Sequence, residues 1–141
     1  APPEPEPSGA DDEAPLFEPW PSDRTPPFKL YVAGSWNDFK PTQMQWQEGM
    51  FACPVTLGPE GCENFQLLLN GSWERTFYPS EPDSSAFDEH TVCGPDKKGH
   101  GKNWQMGKYV DEDARPNARF VIIAGIDNSG MVRLVSWQPV G

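Results

Sequence analysis

The residues able to do chemistry are few and scattered. His90 and His100 are the only histidines, and Asp88-Glu89-His90 is the one place where acidic residues adjoin a histidine. A metal site needs ligands clustered at a recognisable spacing, and neither histidine has such company. Cys53, Cys62 and Cys93 lack a CxxC spacing. They are too few for a disulfide framework, and one must stay unpaired within a monomer. Cys53 reads as core, whereas Cys62 and Cys93 sit near turns and could pair. The sequence has no nucleophile elbow, no Gly-rich phosphate loop and no pair of carboxylates at a catalytic spacing. The expectation is a non-enzymatic protein with neither metal nor cofactor. What remains is surface chemistry. Trp73 follows the turn residues Asn70-Gly71, and Phe39 follows Gly34-Ser35-Trp36-Asn37-Asp38. Aromatic planes beside turns can carry the C–H face of a sugar, because stacking removes apolar surface from water. Trp73 reads either as such a platform or as a cover for the end of the fold.

The elements that must position these residues are strands. Phe28, Leu30 and Val32 alternate with Lys29, Tyr31 and Ala33; Phe51, Cys53, Val55 and Leu57 share one face of a second run, and Phe65, Leu67 and Leu69 that of a third. A period of two puts each set on one face of a pleated strand. Pro54 cannot donate to a ladder, so its strand is expected at an edge or a bulge. Asn70-Gly71 tolerates positive φ at both positions and fits a tight hairpin turn. Residues 44–50 predict a short strand with Met44 and Trp46 on one side, Trp46 and Trp36 reading as core. A strand is predicted to begin at Trp73, and a short one over 103–108. Residues 80–101 read as a long solvated loop whose Lys97, Lys98, His100 and Lys102 form the one basic cluster. Residues 118–124 and 131–137 are apolar and β-branched with turn material between them, which predicts a hairpin; both faces of 118–124 are apolar, as in a central strand.

The motif Gly34-Ser35-Trp36-Asn37-Asp38-Phe39 resembles the GSFNNW-type motif of starch- and glycogen-binding modules, above all the glycogen-binding domain of the AMP-activated protein kinase β subunit. Phe65-Gln66-Leu67-Leu68-Leu69-Asn70-Gly71-Ser72-Trp73 is similar to that family's aromatic-Lys-aromatic strand followed by Asp-Gly-x-Trp. Pro79-Ser80-Glu81-Pro82 and Thr91-Val92-Cys93 fall in the family's order. The likeness spans residues 28–93. It implies an all-β, immunoglobulin-like β-sandwich that presents aromatics to an α-glucan. Trp73 and Phe39 would stack on sugar rings, and Gln66 and Asn70 would hydrogen-bond hydroxyls. Only Trp73 matches a family binding residue in kind. Phe39 stands where the family has Trp, Gln66 where it has Lys, and Cys93 where it has Asn.

Composition agrees with the fold class. The 141 residues include 17 Pro, 13 Gly and 17 aromatics, which suits a turn-rich all-β domain. The net charge of −10 argues against nucleic acid or an anionic membrane as partner. No apolar run is long enough for a membrane span. Residues 1–27 are a different material, with nine of the prolines and seven acidic residues against Arg24 alone. They read as an irregular, acidic, Pro-rich tail, ahead of a domain over 28–141 that ends in an extra C-terminal hairpin. Leu16, Phe17 and Trp20 are large apolar residues in that tail, suited to docking in a groove, in cis or on a partner. The chain starts at Ala1 without Met, as a processed form would, and leans towards an organelle after loss of a targeting peptide. Two functions follow. One is a non-catalytic α-glucan-binding module. The other is a sandwich of this ancestry recruited as an accessory subunit of a large complex, held through its tail.

Overall fold

The computed structural model describes residues 17–109 and 113–140. The chain is all-β, with two antiparallel sheets packed as a sandwich and no α-helix among the described residues. One sheet contains β1 (Leu30–Gly34), β2 (Thr42–Gln43), β5 (Glu63–Leu69), β6 (Thr76–Pro79), β7 (Val92–Asp96) and β8 (Trp104–Met106). The other has the order β10 (Val132–Pro139), β9 (Arg119–Ile126), β4 (Met50–Thr56), β3 (Gln45–Gln47). The alternating sets face inward as the period of two requires. Leu30, Val32, Phe51, Cys53, Val55, Phe65 and Leu67 are all buried in one core with Trp104, Phe120, Ile122 and Trp137.

The predicted terminal hairpin is β9–β10. It is no appendage, because it forms half of the second sheet, and β9 is central, between β10 and β4. Beyond Ala52, β4 has only β9 beside it, so Pro54 sits along an open edge where its missing donor costs least. The short strand expected over 44–50 is shorter, Gln45–Gln47, and Met44 separates it from β2. That side chain turns into the core, β2 joins the first sheet and β3 the second. Trp46 and Trp36 are half-buried rather than core; Trp46 packs edge-on to Phe51 with centroids 5.1 Å apart.

Two stretches differ from their sequence reading. Residues 80–101 are not one loop, because β7 lies within them as the outer strand of its sheet. Gly94 and Pro95 hid it. Both are poor strand formers, tolerated here at an edge. Gly94 is required, since its φ is +101° and a Cβ would lie 2.2 Å from the Thr76 carbonyl oxygen. The strand after Asn70-Gly71 starts at Thr76 rather than Trp73. Asn70 and Gly71 do take positive φ, 53° and 75°, and close a turn through Ser72 N–H to Leu69 O at 3.1 Å. A second turn over 72–75 follows and carries Trp73.

The N-terminal segment is held in cis from its first described residues. Leu16 lies outside the described residues, and Phe17 is half-buried. Pro19 bridges to Asp127, the Trp20 N–H donates to Ile126 O at 3.1 Å, and the Asn128 N–H donates to Glu18 O at 2.7 Å. Trp20 packs on the core of its own chain, and its indole N–H donates to Arg24 O at 2.7 Å. Asp127 organises the receiving turn. Its carboxylate accepts from Ser129 N–H, Ser129 Oγ, Met131 N–H and Arg133 Nε.

Burial alone would raise the Asp127 carboxyl, but those donors outweigh it and hold the group well below the usual carboxylate range. With a depressed folded pKa, its stabilisation is fully present above the unfolded value near ~3.9 and is lost as pH falls through the folded value. Asp127→Asn is therefore expected to cost about 1–3 kcal/mol at neutral pH by urea unfolding, with the difference from the parent shrinking below roughly pH 4. A difference that stays constant into strong acid would show that the charge plays no part.

Candidate functional site

Phe65 points into the core, so its neighbour Gln66 points outward. The outer flank of β5 has two partners in succession. β8 pairs with Glu63, Asn64 and Phe65, and β6 pairs with Leu67 and Leu68. Gln66 falls between them. Its amide Nε2 donates to Gly99 O at 2.5 Å and to Lys102 O at 2.8 Å, both on the loop joining β7 to β8. One buried side chain thereby fixes that loop over the sheet. Gly99 is buried against the Tyr78 ring, where a Cβ would come within 2.6 Å of it, and the Lys102 N–H closes the turn on Gly99 O at 2.9 Å.

The result is a shallow cleft of about 190 Å³ lined by Gln66, Trp73, Thr76, Lys97, Gly99 and His100. Trp73 is 48% exposed. Its backbone is anchored while its indole is not, since Thr76 Oγ1 donates to Trp73 O at 2.9 Å. The cleft therefore offers an aromatic plane, the flexible side chains of Lys97 and His100, and a floor whose amide donors are already engaged. Tyr78 lies behind the loop. Burial, the hydrogen bond to Asp96 and the charge of that carboxylate push its phenol up to about 12, so it stays a neutral donor to Asp96.

Of the four residues expected to contact sugar, this cleft brings together Trp73 and Gln66. Asn70 lies elsewhere, on a larger groove of about 650 Å³ whose lining includes Phe28, Gln43, Gln45 and Trp46. Its Oδ1 accepts the Lys29 N–H at 2.9 Å, tying down the incoming strap. Phe39 lines neither depression. It follows the Gly34 end of β1, whereas Trp73 follows the Leu69 end of β5; Gly34 pairs with Phe65 and Leu30 with Leu69, so the two aromatics stand at opposite ends of that strand pair. Phe39 is half-buried and has φ 59°, next to Asp38 at 61°. The motif around it is a structural clamp. Ser35 Oγ donates to Glu63 Oε1 at 2.6 Å and accepts the Asn64 N–H, while Glu63 Oε2 accepts the Gly58 N–H.

The other candidate residues are also structural. His90 is a brace rather than a solvated loop residue. Its Nε2 accepts the Trp104 indole N–H at 3.0 Å, and its Nδ1 lies 2.7 Å from Asp88 O, which fixes the Nδ1–H tautomer. Hydrogen bonds from Lys108 Nζ, Tyr109 OH and the Ser85 N–H hold the Asp88 carboxyl well below its usual range. All three cysteines are thiols; burial pushes Cys53 up, away from the reactive thiolate. Among the described residues, no three His, Cys, Asp or Glu side chains converge on a metal position, and no helix is long and apolar enough to cross a membrane.

No known protein family, no curated protein and no solved structure matches the chain. Sequence reasoning missed Thr76, Lys97 and His100 as neighbours of Trp73. Nothing local signals that contact, which depends on where the Gln66 amide holds a loop more than thirty residues away in sequence.

Two substitutions separate scaffold from surface here. Gln66→Ala strips donors from two covered carbonyls and is expected to cost about 1–3 kcal/mol, with faster hydrogen exchange over 97–102. Trp73→Ala should shift stability by no more than about 0.5 kcal/mol. A loss of several kcal/mol in the urea midpoint of Trp73→Ala would mean that the indole is part of the core.

Proposed function

We propose that the protein is a non-catalytic glycan-binding module that reads an α-glucan on the Trp73 indole. The observation that supports this reading is the combination of an indole left 48% exposed with a polar cleft directly beside it. Covering the indole with a ligand would remove its apolar area from water. A sugar ring offers a matching surface, with C–H groups for the indole face and hydroxyls for the Lys97 and His100 side chains of the loop. At about 190 Å³ the cleft is too small to enclose an oligosaccharide. It suits a platform that touches one face of a chain, with affinity in the range of roughly mM to μM. Gln66 enters this function as a positioning residue: its donors hold the loop, not the ligand. Asn70 and Phe39 have no part in it.

The test is a titration with maltoheptaose followed through the Trp73 indole N–H resonance. Saturable shifts are expected, and Trp73→Ala should weaken binding about two- to tenfold, in line with roughly 0.5–1.5 kcal/mol for a stacked aromatic. No saturable change at several times the weakest expected Kd, about 1 mM, would remove the reading.

The accessory-subunit reading has support of its own. Phe87 is 67% exposed and meets the Tyr109 ring edge-on at 6.4 Å, an apolar pair on the surface. This pair, rather than Trp20, is the surface that such a role would use. Phe87→Asp should then shift the protein to its monomer volume in size exclusion of a native extract, and an unchanged elution volume would exclude it.

A further inference from the structure

We propose that the Trp73 cleft prefers glycans bearing an anionic ester, phosphate or sulfate, over neutral glycans. This rests on the glycan-binding reading above and adds the substrate class. The chain carries 21 acidic residues and 11 Lys and Arg, for a net charge of −10. Against that background Lys97, Lys98, Lys102 and one of the two histidines, His100, fall within six residues.

The fold fixes the backbone of this segment. Gly99 O and Lys102 O are held by the Gln66 amide, the Lys98 N–H donates to Asp96 Oδ1 at 2.8 Å, and the Lys102 N–H donates to Gly99 O. With the carbonyls turned in, Lys97 and His100 line the cleft beside Trp73. Among the described residues, no carboxylate lies within ion-pair distance of Lys97, Lys98 or His100; the ion pairs are Lys108–Asp88, Arg115–Asp113 and Arg133–Asp127. Asp96, which precedes Lys97 in the chain, is already engaged by the Tyr78 hydroxyl and the Lys98 N–H. Lys102 lies over the Tyr78 ring, its Nζ 5.9 Å from the centroid.

These observations describe a locally cationic rim in a protein whose overall field repels anions. A neutral sugar would leave the rim idle. An ester on a ring stacked on Trp73 would find the Lys97 ammonium within the reach of a flexible side chain, a charge-assisted contact stronger than any available to a hydroxyl.

The experiment compares maltoheptaose, maltoheptaose 6-phosphate and inorganic phosphate, each followed through the Trp73 indole N–H and the 97–102 amides. At roughly 20 mM NaCl the phosphorylated sugar is expected to bind about tenfold more tightly than the neutral one. The advantage should shrink several-fold at roughly 200 mM NaCl. Lys97→Gln should bring the ratio of the two affinities close to one, and Lys97→Arg, which keeps the charge, should restore it. Equal affinities for the two sugars would overturn the preference while leaving glycan binding in place. Inorganic phosphate binding as tightly as the phosphorylated sugar, without moving the Trp73 indole, would reduce the site to an anion contact and overturn it too. No response to either sugar would take away both the underlying reading and this one.

Discussion

The Phe65 ring is the point on which the two sheets meet. It stacks on Trp104 from its own sheet and receives the edge of Trp137 from the other, each with centroids 5.6 Å apart. Such ring pairs contribute about 0.5–1.5 kcal/mol each beyond the area they bury. Their structural effect is larger than that figure, because they fix the register of β5, the strand that pairs with β1, β6 and β8. Slipping β5 by a single residue would carry Phe65 to the outer face and Gln66 into the core, leaving a buried amide without partners. The inward ring therefore dictates the outward amide. That amide in turn dictates where the β7–β8 loop lies, and so what surrounds Trp73.

This chain of constraints divides the molecule into rigid and adaptable parts. The floor of the cleft is a sheet residue with its donors satisfied. One wall is a loop clamped at two carbonyls, and the other is an indole on a double turn whose backbone is anchored at Thr76. Only the Lys97, Lys98 and His100 side chains and the indole face are left to respond to a ligand. Sites built on rigid elements lose less conformational freedom on binding. A weak, one-faced ligand such as a sugar benefits from that preorganisation.

Much of the fold was legible in the sequence because inward and outward residues alternate at Phe51–Leu57 and the large apolar residues Phe65, Leu67 and Leu69 recur at period two. The Asn70-Gly71 turn was legible for a local reason, the tolerance of both residues for positive φ. β7 was not, since Gly94 and Pro95 break the pattern that would have announced it. The site was legible only in part. Trp73 stands out by its place after a turn, but its partnership with Lys97 and His100 rests on a long-range hydrogen bond that no spacing encodes. His90 was misread for the same reason, its role being set by Trp104. Asn70 and Phe39 lie close to recognisable motifs, yet the fold spends the side chain of one on the strap and carries the other to the far end of the β1–β5 pair. Trp20 reads as a docking residue, and in the fold it packs against the core of its own chain.

The central claim is that the indole at position 73 is a sugar platform built on the outer face of β5. Intermolecular nuclear Overhauser effects between maltoheptaose and the protein test it most directly. The account predicts contacts from the sugar C–H protons to the Trp73 ring and to the 97–102 loop. Contacts to Trp46 and Gln45 in the larger groove, or none at all at saturating sugar, would contradict it.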